Sequence, residues 1–150
     1  MLDEVFVRRK ITLITEDLAK LAYFRESSLE ELSRDWVKWS ALERVLMKVI
    51  GRAIDINQHL IAEMAGPGVT APRNYQATFL RLSSLGIVPP EFAERISRSA
   101  VFRNAIVHEY NNVDHELVFA TVGEAVADYA EYCQRILEFL ERTAGNAPAD

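Results

Sequence analysis

The chain has 150 residues, 49% of them apolar and 26% charged, the length and balance of one soluble globular domain with a proper core. Its 17 basic and 22 acidic residues give a formal net charge of −5, which argues against a generic nucleic-acid coat held by phosphate neutralisation but leaves room for a local basic site. No apolar run approaches the roughly 20 residues of a bilayer span, the charges of Met1 to Lys10 follow its apolar residues instead of preceding them as in a secretory signal, and Cys133 stands alone; a cytoplasmic protein without membrane contact is the expectation.

In chain order, Val7, Ile11, Ile14, Leu18 and Leu21 recur at spacings of four and three, which predicts a helix over about Asp3 to Arg25 with one buried stripe. Ser28 followed by Glu31 is a capping-box pattern for a short second helix. Asp35 can cap the longest helix, whose stripe runs through Trp36, Trp39, Leu42, Leu46, Val49, Ala53, Leu60 and Met64. Its other face carries Arg44, Lys48, Arg52, Asp55, His59 and Glu63, a solvated face held by pairs such as Asp55 with His59, or part of a dimer or ligand surface. Gly66-Pro-Gly-Val-Thr-Ala-Pro72 is a firm break.

Tyr75, Phe79 and Leu82 mark a short helix closed by Gly86, and Pro89-Pro90 suits the first turn of the next. Asp114 can cap the last long helix, with Thr121 and Glu124 as a second capping-box pattern. Val122, Val126, Tyr129, Cys133, Ile136 and Leu140 give that helix a buried stripe and make Cys133 a core residue. No segment alternates like a strand. The expected fold is all-α, an antiparallel bundle of about four principal helices with one or two short ones. It forms a single domain over residues 1–144, with a flexible tail at 145–150.

The candidate site is Ser99-Ala-Val-Phe-Arg-Asn-Ala-Ile-Val-His-Glu-Tyr110. Phe92, Ile96, Ala100 and Val107 share one apolar arc of a helix, and Arg103 falls within it with Tyr110 beside it. An arginine in an apolar stripe is costly unless it is paired or faces a cleft. Asn104 and His108, four apart, neighbour each other on a second face. Charge is segregated: Arg95, Arg98 and Arg103 make the central stretch basic, whereas Glu116, Glu124, Asp128, Glu131, Glu138 and Glu141 make the last helix acidic.

Three histidines without a His-x3-His pair, one cysteine and no glycine-rich phosphate loop point to no metal site and no nucleotide cofactor. The arginine–histidine pair remains. Cleaving RNA without metal needs a base for the 2′-hydroxyl proton, an acid for the leaving oxygen and a fixed cation for the charge on phosphorus. Histidine can do either proton job and arginine grips phosphate oxygens bidentately. Arg103 and His108 point about 140° apart on an ideal helix, offset by about 7.5 Å. A bend near Val107 or a two-fold dimer would help to bring such groups together, and a composite site at a dimer interface is the expectation. Arg52 and His59 also fit a loose arginine-x(4–6)-histidine spacing.

The wording Phe102-Arg-Asn-Ala-Ile-Val-His-Glu-Tyr110 resembles the signature of the HepT-like toxins, a family of HEPN-domain proteins: arginine, usually asparagine, three residues, histidine, one residue, tyrosine. Ala53-Ile-Asp-Ile-Asn-Gln-His-Leu-Ile-Ala-Glu63, Pro72-Arg-Asn-Tyr75 with Phe79, Leu85-Gly-Ile-Val-Pro89 and Val113-Asp114 extend the resemblance over nearly the whole chain. It implies a homodimeric, metal-independent endoribonuclease toxin that cuts transfer or messenger RNA. Arg103 and His108 are then catalytic, Asn104 orients or binds phosphate, and no cofactor is needed. It also implies a nucleotidyltransferase antitoxin that uses ATP to attach AMP to the motif tyrosine, here Tyr110, filling the cleft with phosphate. The alternative reading is a non-catalytic helical dimer that binds and regulates such a nucleotidyltransferase.

Overall fold

A computed structural model of the chain describes residues 1–108 and 114–146, without the side chains of Val107 and His108. Six α-helices account for its regular structure among the described residues: α1 (Glu4–Phe24), α2 (Leu29–Arg34), α3 (Trp36–Met64), α4 (Tyr75–Ser84), α5 (Pro90–His108) and α6 (His115–Gly145). Four long helices and two short ones form the all-α bundle expected.

Local chemistry sets the ends of these helices. Asp3 caps α1 by accepting from the Phe6 amide at 2.9 Å, and Ser28 Oγ accepts from the Glu31 amide at 3.1 Å. Asp35 caps α3 and Asp114 caps α6 in the same way, each supplying an acceptor to amides that have no carbonyl one turn back. At the end of α4 the chain reverses through Gly86, whose φ of +74° suits a residue without Cβ. The Ile87 amide reaches back to the Leu82 carbonyl at 2.9 Å, closing the turn that starts α5 at Pro90. Thr121 and Glu124, by contrast, start nothing: α6 runs unbroken past them, and Thr121 Oγ1 donates to the Leu117 carbonyl at 2.7 Å. Once Asp114 has satisfied the first free amides, no helix end remains there for a second cap.

α1 packs between α3 and α6, and α4 forms a tight hairpin with α5 that lies on α3. One core runs through the bundle, from Val7, Ile14 and Leu21 through Leu46, Ile50 and Leu60 to Tyr129, Ile136 and Leu140. Cys133 lies in it as expected, and burial pushes its thiol up to about 11. Trp36 does not: it is 79% exposed. At the first position of α3, the stripe begins before the packed part of the helix does.

Within this core is a chain of satisfied polar groups. The Tyr132 hydroxyl donates to Asn57 Oδ1 at 2.6 Å and lies 3.1 Å from the Ala53 carbonyl. Asn57 Nδ2 donates to Thr78 Oγ1 at 3.2 Å, and Thr78 donates to the Tyr75 carbonyl at 2.6 Å. The chain ties α6 to α3 and to the first turn of α4, which fixes where Tyr75 stands. Burial raises the Tyr132 phenol well above its ordinary range. No helix among the described residues is long and apolar enough to cross a membrane.

Candidate functional site

The helix that carries the site, α5, is anchored from both sides. Phe92, Ile96 and Ala100 bury its apolar arc. Ser99 Oγ meets the Tyr129 hydroxyl at 2.6 Å, and Arg95 bridges to Asp128 at 3.0 Å and Glu131 at 3.3 Å on α6. The charge of Arg95 is therefore neutralised by the acidic helix, leaving Arg103 as the cation that α5 presents toward α3.

Arg103 lies in a cleft of about 330 Å³ lined by Lys48, Arg52, Asp55, Gln58 and Tyr75. Its guanidinium stands over the Tyr75 ring, 5.5 Å from the centroid, an electrostatic attraction to the negative face of the ring. Its buried Nε has no hydrogen-bond partner among the described residues, and no carboxylate among them pairs with it. Among the described residues, the acid that lines the cleft and the acid behind Arg52 are both taken. Asp55 is held by Lys10 at 3.0 Å, and Asp17, only 3% exposed, is paired with Arg52 and Lys20. Lys48 and Arg103 thus give the cleft its positive potential, and a site of that kind favours an anion that brings its own acceptors.

Gly51 also lines this cleft, and a Cβ there would meet nothing within 4 Å. Its smallness is not demanded by packing inside this chain. What it does is keep the α3 wall of the cleft open.

Asn104 follows Arg103 and is exposed. α5 stays helical through Val107 and His108, but the side chains of both, and Tyr110 entirely, lie outside the described residues. Tyr75 is the site residue that spacing did not single out as a neighbour of Arg103. Only the packing of α4 on α5 brings the two together; the sequence signal was its place at the start of the α4 stripe.

The second arginine–histidine spacing resolves into structure. Arg52 donates to the Asp17 carboxylate and to the Leu13 carbonyl. His59 does not pair with Asp55: its Nε2 accepts from the Asp3 amide at 3.0 Å and its ring packs on Phe6, 5.2 Å between centroids. This holds the start of α1 against α3. His115 is likewise engaged, stacked on Trp39 at 3.8 Å with Nδ1 3.0 Å from Ser33 Oγ.

Residues 14–136 match the family described as ribonuclease HepT-like. The chain is 31% identical over 140 residues to the tRNA nuclease HepT of Aphanizomenon flos-aquae, covering 93% of this chain and 92% of that one. Its fold matches a tri-AMPylated HEPN toxin of Shewanella oneidensis in complex with MNT antitoxin, with a TM-score of 0.78 at 15% identity over 91% of this chain and 98% of the toxin. It also matches YutE of Bacillus subtilis, a cytosolic protein of unknown function, with a TM-score of 0.75 at 18% identity over 99% and 98% of the two chains. With the match to the family spanning most of the bundle, this chain belongs to the ribonuclease HepT-like family.

Proposed function

We propose that the protein is a metal-independent endoribonuclease toxin, active as a homodimer and silenced by a nucleotidyltransferase antitoxin. The observation that carries this reading is Arg103, a cation without a carboxylate partner among the described residues, held over Tyr75 in a basic cleft. Family membership supports the activity, and the tRNA nuclease HepT is the curated relative that makes transfer RNA the first substrate to try.

In this reading Arg103 grips the non-bridging oxygens of the scissile phosphate and stabilises the charge that builds there. Asn104 orients the phosphate. The 2′-hydroxyl oxygen attacks phosphorus, its proton passes to a neutral His108, and the 5′-oxygen leaves with a proton from a protonated His108. The products are a 2′,3′-cyclic phosphate and a 5′-hydroxyl. One chain supplies one such histidine, so the two proton jobs call for His108 of both subunits across a two-fold axis. Tyr110, two residues on from His108, is the acceptor of AMP from ATP, with pyrophosphate as the leaving group. Phosphates placed there compete with RNA for Arg103. The AMPylated state of the Shewanella toxin beside its MNT antitoxin supports this mode of control.

The test uses purified, EDTA-treated protein whose mass excludes AMP on Tyr110. Incubated with transfer RNA, the wild type is expected to cut and to leave cyclic phosphate ends, whereas a folded dimeric His108→Ala protein is expected to lose cleavage by about 10²- to 10⁴-fold. Unmodified, folded wild type that cuts neither transfer nor messenger RNA would favour the non-catalytic regulator of a nucleotidyltransferase.

A further inference from the structure

Beside the Arg103 cleft is a second and larger concavity, about 410 Å³, between the end of α3, the loop of residues 65–74 and the first turn of α4. No role described above uses it. Gln58 and Tyr75 line both cavities, so the ring that carries the Arg103 guanidinium also forms part of the second wall. Tyr75 is 40% exposed, although its backbone is fixed through Thr78 to the buried polar chain.

The loop wall is tied in place. Arg81 Nη1 donates to the Thr70 carbonyl at 3.1 Å, and Asn74 Oδ1 accepts from the Ala77 amide at 2.8 Å. The lining combines an aromatic ring, the aliphatic surfaces of Ile61 and Val69, the side-chain amide of Gln58 and the guanidinium of Arg73. Arg73 forms no ion pair among the described residues. Unpaired RNA bases are bound by this set of groups: a ring or apolar wall for the base face, an amide for its edge and a cation for the adjoining phosphate. A phosphate held at Arg103 has its nucleoside attached, and the cavity across Tyr75 is an adjoining space large enough and apolar enough to take the base.

We infer that this cavity is a nucleobase subsite, which receives a base flanking the phosphate held in the Arg103 cleft and so contributes to the choice of cleavage position. The inference rests on the RNA-cleaving reading for its biological sense, but base binding can be measured without cleavage. Ala62 lines the cavity from an exposed position on α3, so Ala62→Trp fills it without touching the core. The probes are a single-stranded 2′-O-methyl RNA oligomer, which lacks the attacking hydroxyl, and an abasic oligomer of the same length.

By fluorescence anisotropy the base-bearing oligomer is expected to bind Ala62→Trp about ten-fold more weakly than wild type, a stacking-sized loss, with the abasic oligomer bound equally by both. Gln58→Ala is expected to change the ranking among oligo-A, oligo-U, oligo-C and oligo-G. Equal affinity of wild type and Ala62→Trp for the base-bearing oligomer would overturn the subsite, as would parallel losses for both oligomers. Cleavable RNA run alongside reads the other claim: a wild type that shows the base-dependent difference yet never cuts upholds the subsite and overturns the nuclease.

Discussion

Arg52 and Arg103 line the same cleft, and each precedes a histidine at a similar spacing, yet they hold opposite positions in the energetics of the fold. Arg52 is matched: the Asp17 carboxylate neutralises its guanidinium, the Leu13 carbonyl accepts a further hydrogen bond from it, and Lys20 adds a second cation on Asp17. Arg103 is unmatched among the described residues, with an aromatic face beneath it and a buried Nε left over. A buried polar group without a partner costs stability, and such a cost persists where a ligand will supply what is missing. The difference teaches that sequence spacing finds candidate arginines, but the partners decide which of them is structural.

The comparison breaks most sharply at the two arginines themselves. Arg103→Ala is expected to lower RNA cleavage by about 10²- to 10³-fold, the usual effect of removing a fixed stabiliser of developing charge. Arg52→Ala is expected to act on folding instead, lowering the free energy of unfolding by about 3 kcal/mol in a urea titration, since it leaves the Asp17 carboxylate buried with Lys20 alone. Similar losses of activity at equal stability for both would erase the distinction.

The satisfied polar chain offers a second contrast. Tyr132→Phe removes the donor to Asn57 and strands its acceptor, so the urea midpoint should fall by the equivalent of about 1–3 kcal/mol. The same core sets an alkaline limit. Burial raises the Cys133 thiol from 9.0 to about 11, and the Tyr129 and Tyr132 phenols go up as well. A group whose folded value is raised gives stability that is complete below its unfolded value and is lost as pH climbs through the folded one. Stability should therefore be flat below pH 9 on account of these groups and fall from about 9 upward, the thiol's share being lost by about 11 and the phenols' share going on above it, with Cys133→Ala removing the earliest part of the decline. The smallest effect is expected at Gly51. Gly51→Ala should stabilise α3 by about 0.5–1 kcal/mol because alanine loses less chain entropy in a helix and its methyl meets nothing. A bulkier Gly51→Leu should weaken RNA binding by narrowing the cleft.

The sequence was most legible where the deciding chemistry is local. Ser28, Asp35, Gly86, Pro90 and Asp114 mark helix ends as read, because a cap needs only a side chain and the amides of the following turn. Cys133 and Tyr129 are buried as their stripe predicts. The misreadings concern residues whose fate is decided by a distant element. Trp36 fits the α3 stripe but has nothing packed over it, Asp55 finds Lys10 across the bundle and not His59 one turn away, and Thr121 sits in a helix already capped by Asp114. Asn57 falls on the α3 stripe between Ala53 and Leu60 but is polar, so the apolar pattern passes over it, yet it joins three helices. At the site, spacing singled out Arg103 as an arginine in an apolar arc, whereas its ring partner Tyr75 is 28 positions away and becomes visible only through the packing of α4 on α5.

The most direct test of the central claim, that Arg103 is kept for a ligand and not for the fold, pairs two readings on one sample. Transfer-RNA cleavage and the urea midpoint are measured for wild type and Arg103→Ala, both free of AMP. The account predicts cleavage lost by at least about 10²-fold with the midpoint unchanged or slightly raised. Arg103→Ala that cuts as well as an active wild type, or that loses activity only in step with its stability, would contradict it.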